Sequence, residues 1–198
     1  MSKLFREQYR IASVRLKGYD YSWPGYYMVT ICAKGFRKDF GIIMDGSVVL
    51  SETGEVVTMT WNLIPERFPA IDLDEFILMP DHLHGIIRIK KQGDRSAGVS
   101  CCQEATRHGF QSPRHNVRTD HQKGGSTGIY NPMLTDHSLG KVIRWFKGAS
   151  SYYIHHKVDR SFGWHPRYYD CIIQGMNDLL KARDYIRENP KRWVRDNI

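Results

Sequence analysis

Cysteine is scarce in this chain: four residues in 198, at Cys32, Cys101, Cys102 and Cys171. Adjacent Cys101 and Cys102 are poorly placed to bridge each other, and no CxxC pair exists, which argues against both a disulfide framework and a cysteine zinc site. Free thiols in a reducing compartment are the plain reading. Long apolar runs are also missing. None approaches the roughly 20 residues of a spanning helix, and the stretch MSKLFREQYRIASVRLKG has no apolar core of a signal peptide. A cytoplasmic location is therefore expected. Negative charge is in short supply as well. Lys and Arg total 29 against 21 Asp and Glu, a net charge of +8 and a pI near 9.3. Such an excess suits a polyanionic partner, nucleic acid more than an anionic membrane.

What is present is enough for one domain with a core, since 41% of residues are hydrophobic. YYMVTICAKG, from Tyr26 to Gly35, is rich in β-branched and aromatic residues and predicts a strand. FGIIMDGSVVL predicts a short hairpin around Asp45-Gly46. In SETGEVVTMTWNLIPERFP, Val56, Val57, Thr60, Leu63 and Ile64 are spaced for a helix, with Ser51 as N-cap and Pro65 marking its end. IDLDEFILMP and HLHGIIRIKK predict two further strands around Met79-Pro80-Asp81. From about Gln92 to His137 the chain turns polar, and its composition suits a flexible insert too poor in apolar residues to build a core. Leu139, Val142, Ile143, Phe146 and Ala149 then predict a helix. WHPRYYDCIIQ predicts a strand. MNDLLKARDYIRENPKRW predicts a second helix, capped by Asn177 and stopped near Pro190. Pairs of strands separated by helices indicate an α+β fold. The expected form is a ferredoxin-like antiparallel sheet with helices on one face.

The stretch FILMPDHLHGIIRIK carries the chemistry. Side chains alternate across a strand, so His82 and His84 share one face while Leu83 faces the core. Two imidazoles on a rigid platform can grip one metal ion, although the pair alone does not name the metal. A chance His-x-His is the plainer alternative. Against it stands the apolar setting, where imidazoles without partners are costly.

MPDHLHGIIRI resembles the His-hydrophobic-His motif of the HUH single-strand nucleases, and more narrowly that of the REP-associated tyrosine transposases. LGKVIRWFKG, WHPRYYDCII and ARDYIRENPKRW resemble the same family in the same order, and together these motifs span roughly half the chain. The resemblance implies a metal-dependent transposase or endonuclease that cleaves and rejoins single-stranded DNA near hairpins through a 5′-phosphotyrosine. It implies Tyr185 as nucleophile, and His82, His84 and Asn189 as ligands of Mg²⁺ or Mn²⁺. Tyr185 and Asn189 lie four apart and share a helix face, though Asn189 before Pro190 also suits a C-terminal cap. Tyr168 and Tyr169 are better read as a packing platform, and Tyr152 and Tyr153 as helix packing. An ordinary phenol ionises near pH 10, so its proton must leave during attack. The covalent link then stores the bond for rejoining.

The partner implied is single-stranded DNA with hairpin structure, bound by a monomer or homodimer. From Leu139 onward there are twelve Lys and Arg against six Asp and Glu. Lys141, Arg144, Lys147, Arg167 and Lys181 are candidate DNA contacts, with Arg6 and Arg10 on a basic N-terminal arm. Trp145 and Phe146 suit either base stacking or a core cluster. Two competing functions stay open: a domesticated hairpin-binding protein that does not cut, and a metal-dependent hydrolase using water. Loop-closure cost rises slowly with length, which sets an expectation for the insert. Replacing Gly98 to Gly125 with a short Gly-Ser linker should leave the melting temperature nearly unchanged. A large drop in thermal melting would show that the insert packs onto the domain.

Overall fold

The computed structural model describes residues 16, 19–91 and 137–196. The expected insert, the cysteines at 101 and 102, and the arm carrying Arg6 and Arg10 lie outside the described residues. Strand β1 (Gly25–Cys32) leads through a 3-10 turn (Lys34–Phe36) to the hairpin β2 (Gly41–Met44) and β3 (Ser47–Leu50). Helices α1 (Glu52–Asn62) and α2 (Ile64–Arg67) follow, then β4 (Ile71–Leu78) and β5 (His82–Ile89). Helix α3 (Leu139–Lys157), β6 (Tyr169–Ile173) and α4 (Met176–Asp196) complete the order.

Local chemistry explains most boundaries. Ser51 and Ser138 each accept a backbone N–H from the first turn of the helix they precede, α1 and α3 respectively. Asp45 and Gly46 both have positive φ, the geometry of a two-residue hairpin turn whose twist matches its strands. Pro65 does not stop a helix as expected. It sits in the first turn of α2, where its missing N–H costs nothing. Asn177 is not a cap either, because α4 has already begun at Met176, with Leu179 N–H bonded to Gly175 O. Nor does α4 stop at Pro190, which lies inside a helix running on to Asp196. Proline withholds one hydrogen bond there, and packing of the following turn, described below, outweighs that loss.

The main sheet has the antiparallel order β4-β5-β1-β6. This is the expected ferredoxin-like arrangement, with a hairpin inserted between β1 and α1. The crossover helices α1 and α3 share one face and close the main core over Tyr27, Val29, Ile31, Leu83, Ile87 and Phe146. Trp145 meets Phe68 at 5.7 Å and Phe146 meets Trp61 at 5.3 Å, so both are core aromatics rather than base platforms. The other face carries a smaller cluster of Ile86, Leu179 and Ile186, where the appended α4 lies over β4 and β5. Among the described residues, no helix is long and apolar enough to cross a membrane.

At Gly85 the Trp61 ring of α1 lies directly against the sheet. A Cβ there would sit 2.4 Å from the Trp61 ring, which is itself stacked on Phe76. Gly85→Ala should therefore destabilise the protein by about 1–3 kcal/mol through overpacking. Chemical denaturation would measure this, and a variant as stable as wild type would show that the indole can retreat.

Candidate metal and tyrosine site

The site begins with strand alternation. On β5, Leu83 and Ile87 enter the main core, which forces His82, His84 and Ile86 to the α4 face. The preceding turn is closed by Met79 N–H donating to His82 O at 2.7 Å, so the pair stands at the end of the sheet. The two rings lie 4.6 Å apart, and their Nε2 atoms approach to 3.1 Å. Each Nδ1 is occupied: the Asp81 carboxylate holds that of His82, and Thr30 Oγ1 lies 2.8 Å from that of His84. Thr30 reaches His84 because β1 and β5 pair them directly.

This second layer has a chemical consequence. If both Nδ1 atoms carry the protons, donated to Asp81 and Thr30, both Nε2 lone pairs are free for one shared ion. Two ligands about 2.1 Å from a shared ion stand about 3.0–3.4 Å apart at angles near 90–110°. The observed separation fits. His84 is buried, and burial, helped by the neighbouring His82, pushes its pKa down to about 3. It is therefore neutral at physiological pH and competent to ligate. Among the described residues, no cluster of three His, Cys, Asp or Glu side chains completes a cage. Among the described residues, any further protein donor beside the pair is therefore of another residue type.

Helix α4 brings such residues over the pair. Tyr185, Asn189 and Trp193 recur every four positions and form one stripe. The Tyr185 ring is 5.2 Å from that of His84, and the Trp193 ring is 5.8 Å from that of His82. Asn189 lies between them in the stripe and is buried. Its amide nitrogen donates to Tyr185 O at 3.4 Å, so the acceptor Oδ1 is the atom left for another partner. The Arg192 guanidinium stands 5.2 Å from the centre of the Tyr185 ring. Trp193 also explains why α4 outlasts Pro190: its indole packs on His82, and Lys38 lies 5.8 Å from the same ring.

An ionic clamp fixes the helix. A bulge between Leu73 and Phe76 places Asp74 and Glu75 where α4 passes. Arg183 grips Asp74 through two hydrogen bonds of 2.8 and 2.6 Å, and Arg187 pairs with Glu75. Burial alone would raise the Asp74 carboxyl. Hydrogen bonds from Arg183 and from the Glu75 amide outweigh it and hold the pKa below the ordinary carboxylate value.

The remaining sequence candidates fall elsewhere. Tyr152 and Tyr153 pack on each other along α3. Tyr168 packs against the main core beneath the Lys147 ammonium. Tyr169 is exposed on the histidine face, paired with Thr30 at the sheet edge. Lys141 and Arg144 belong to α3, on the opposite layer from the histidines. Lys147 donates to the carbonyls of His165 and Arg167 at 2.8 and 2.9 Å and so braces that loop. Lys181 is exposed on α4, 3.6 Å from Asp178. Sequence reading missed Thr30, Trp193, Arg192 and the clamp. Asp81 is next to His82 in the sequence, but nothing local assigns it to the Nδ1 of that ring.

No family model matches the chain. An uncharacterised protein of Haemophilus influenzae is 32% identical over 186 residues, which cover 94% of this chain and 91% of that one. A solved structure of a REP-associated tyrosine transposase, bound to a REP hairpin, superposes with a TM-score of 0.51 at 14% identity, covering 92% of this chain and 74% of that one. A Deinococcus radiodurans structure described as a candidate transposase gives 0.43 at 14% identity over 89% of this chain and 98% of that one, too distant to argue from. The fold is thus that of the REP-associated tyrosine transposase, as the sequence motifs implied. The chain belongs to one family with the Haemophilus protein.

The geometry sets an expectation for metal binding. Wild type should bind Mn²⁺, and His82→Ala or His84→Ala should abolish binding. Thr30→Val and Asp81→Asn should each weaken it about 10- to 100-fold, the usual cost of losing a partner behind a ligand. Titration calorimetry would check this, and unchanged binding in both histidine variants would remove the metal role.

Proposed function

We propose that the chain is a metal-dependent transposase or endonuclease acting on single-stranded DNA beside hairpins, by cleavage and rejoining through a 5′-phosphotyrosine. The observation that supports this most is the Tyr185 ring 5.2 Å from His84, on a helix clamped over two imidazoles with converging Nε2 atoms. The fold shared with a hairpin-bound transposase supports the choice of DNA partner.

His82, His84 and Asn189 are the residues to hold Mg²⁺ or Mn²⁺; the two imidazoles favour Mn²⁺. When bound, the ion supplies charge neutralisation at the scissile phosphate. The protein does the rest. Asp81 and Thr30 keep both rings in the ligating tautomer. The Asp74 and Glu75 pairs hold α4 so that the Tyr185 phenol waits at a fixed position, which lowers the entropic part of the barrier. Tyr185 Oη attacks phosphorus and loses its proton; the P–O3′ bond breaks, and the departing 3′ oxygen takes up a proton. The 5′ phosphate stays on the tyrosine until a 3′ hydroxyl reverses the step, so the bond energy is retained. Arg192, which also pairs with Glu188 at 2.9 Å, stands beside the ring where negative charge gathers at the phosphate. Lys141, Arg144, Lys147, Arg167 and Lys181 contribute to the field that draws the DNA in, with Lys147 also acting as a brace.

Tyr185→Phe should abolish covalent protein–DNA adducts while leaving hairpin affinity within a few fold, because Phe keeps the ring and loses only the nucleophilic oxygen. A denaturing gel with labelled hairpin single strands and Mn²⁺ reads the adduct, and EDTA should remove it from wild type. Cleavage by Tyr185→Phe at the wild-type rate would favour water as nucleophile, or another tyrosine.

A further inference from the structure

The turn after β1 carries a feature that neither the core nor the site above requires. Phe36 is 59% exposed, yet its φ is +54°. A bulky residue in the left-handed region is strained. Burial of an aromatic ring would offset that cost, and here the ring is mostly in water. The backbone is nevertheless well held. Lys34 N–H donates to Gly163 O at 2.8 Å, Phe36 N–H to Ala33 O at 3.1 Å, and His165 N–H to Cys32 O at 2.8 Å. Gly35 is also left-handed, with φ +68°, so two consecutive residues lift the Phe36 ring outward. Beside it, 6.1 Å away and tilted by 33°, stands the ring of His165.

The position is adjacent to the candidate site. Cys32 pairs with His82, and Ala33 N–H donates to Asp81 O at 2.8 Å. Phe36 lies four positions after Cys32, so their Cα atoms are at most about 14 Å apart. Lys38, in the same turn, reaches the Trp193 ring that packs on His82. Within this turn the cations divide their work. Arg37 is tied to Asp39 and Asp159, both at 3.1 Å, and anchors the turn to the segment after α3. Lys34 and Lys38 are exposed, and among the described residues neither meets a carboxylate.

We propose that Phe36, backed by His165, is a stacking platform for an unpaired base of the DNA strand flanking the cut, with Lys34 and Lys38 binding its phosphates. The inference rests on the functional reading above and adds the place where the flanking strand is held. An exposed ring on a turn whose two lysines meet no carboxylate among the described residues suits single-stranded DNA, because phosphates neutralise the lysines while bases cover the ring. A folded protein partner would find one strained ring on a strongly basic turn and little apolar area to bury.

The test uses the full chain in EDTA, which separates binding from cleavage. Fluorescence anisotropy compares a hairpin bearing unpaired flanks with the same hairpin made blunt. Phe36→Gly removes the ring and relieves the left-handed strain, so its melting temperature should equal or exceed that of wild type. Its affinity for the flanked hairpin should fall about five- to a hundredfold, with affinity for the blunt hairpin unchanged. Phe36→Trp should retain flanked-hairpin affinity. A 2-aminopurine probe in the flank should be quenched on binding wild type and not on binding Phe36→Gly. Unchanged flanked affinity, an equal loss on both DNAs, or a fall in melting temperature with Phe36→Gly would overturn the platform. Such a result beside a wild-type protein that still forms the tyrosine adduct would sink this inference alone. A wild type that binds neither DNA would sink the functional reading with it.

Discussion

The register between β1 and β5 is the constraint on which the site depends. It sets Thr30 opposite His84 and Cys32 opposite His82. A slip of one residue would turn both imidazoles into the main core and bring Leu83 and Ile87 to the α4 face. That register is fixed on the far side of the sheet. Tyr27, Val29, Ile31, Leu83 and Ile87 are all fully buried there, and the indole of Trp61 fills the space that Gly85 leaves open. Burial of several large side chains, each contributing about 1.5–3 kcal/mol, therefore decides which way two histidines point. The chemistry inherits its geometry from packing that never touches it.

The α4 layer is secured differently. Its buried apolar cluster consists of Ile86, Leu179 and Ile186, far smaller than the main core. Such a contact is modest for a helix of 21 residues. The arginine pairs with Asp74 and Glu75 supply the direction that so small a cluster lacks, because a bidentate contact fixes both distance and angle. Trp193 against His82 anchors the far end. The tyrosine is thus placed by polar contacts on a helix more loosely bound than the sheet beneath it. Such contacts weaken with salt where they are exposed, and the Arg187 side chain is 59% exposed.

The sequence made the ferredoxin-like order legible because its signals are local. Period-two alternation, the Ser51 cap and the Asp45-Gly46 turn each act within a few residues. Pro65 and Pro190 were misjudged for the same reason: a proline's cost is local, while the packing that outweighs it is not. Thr30 lies 54 positions from His84, and Arg183 lies 109 from Asp74. No window on the sequence shows such pairings before the strand order is known. Trp145 and Phe146 illustrate the opposite limit, since an aromatic beside lysines looks the same in sequence whether it stacks on bases or fills a core.

Positive charge tells a similar story with a different outcome. Lys147 braces the loop holding His165 and Arg167, and Arg183 and Arg187 hold α4, so three C-terminal cations serve the fold. Pairing cancels a cation only together with an anion, and the twelve-to-six excess beyond Leu139 survives it. The long-range field that steers a polyanion depends on that net excess. Individual phosphate contacts depend instead on which ammonium groups remain uncommitted, and composition cannot supply that. The net excess of positive charge was therefore readable from counts alone. The assignment of particular lysines had to wait for their neighbours, and it shifts weight from Lys147 toward the turn that carries Lys34 and Lys38.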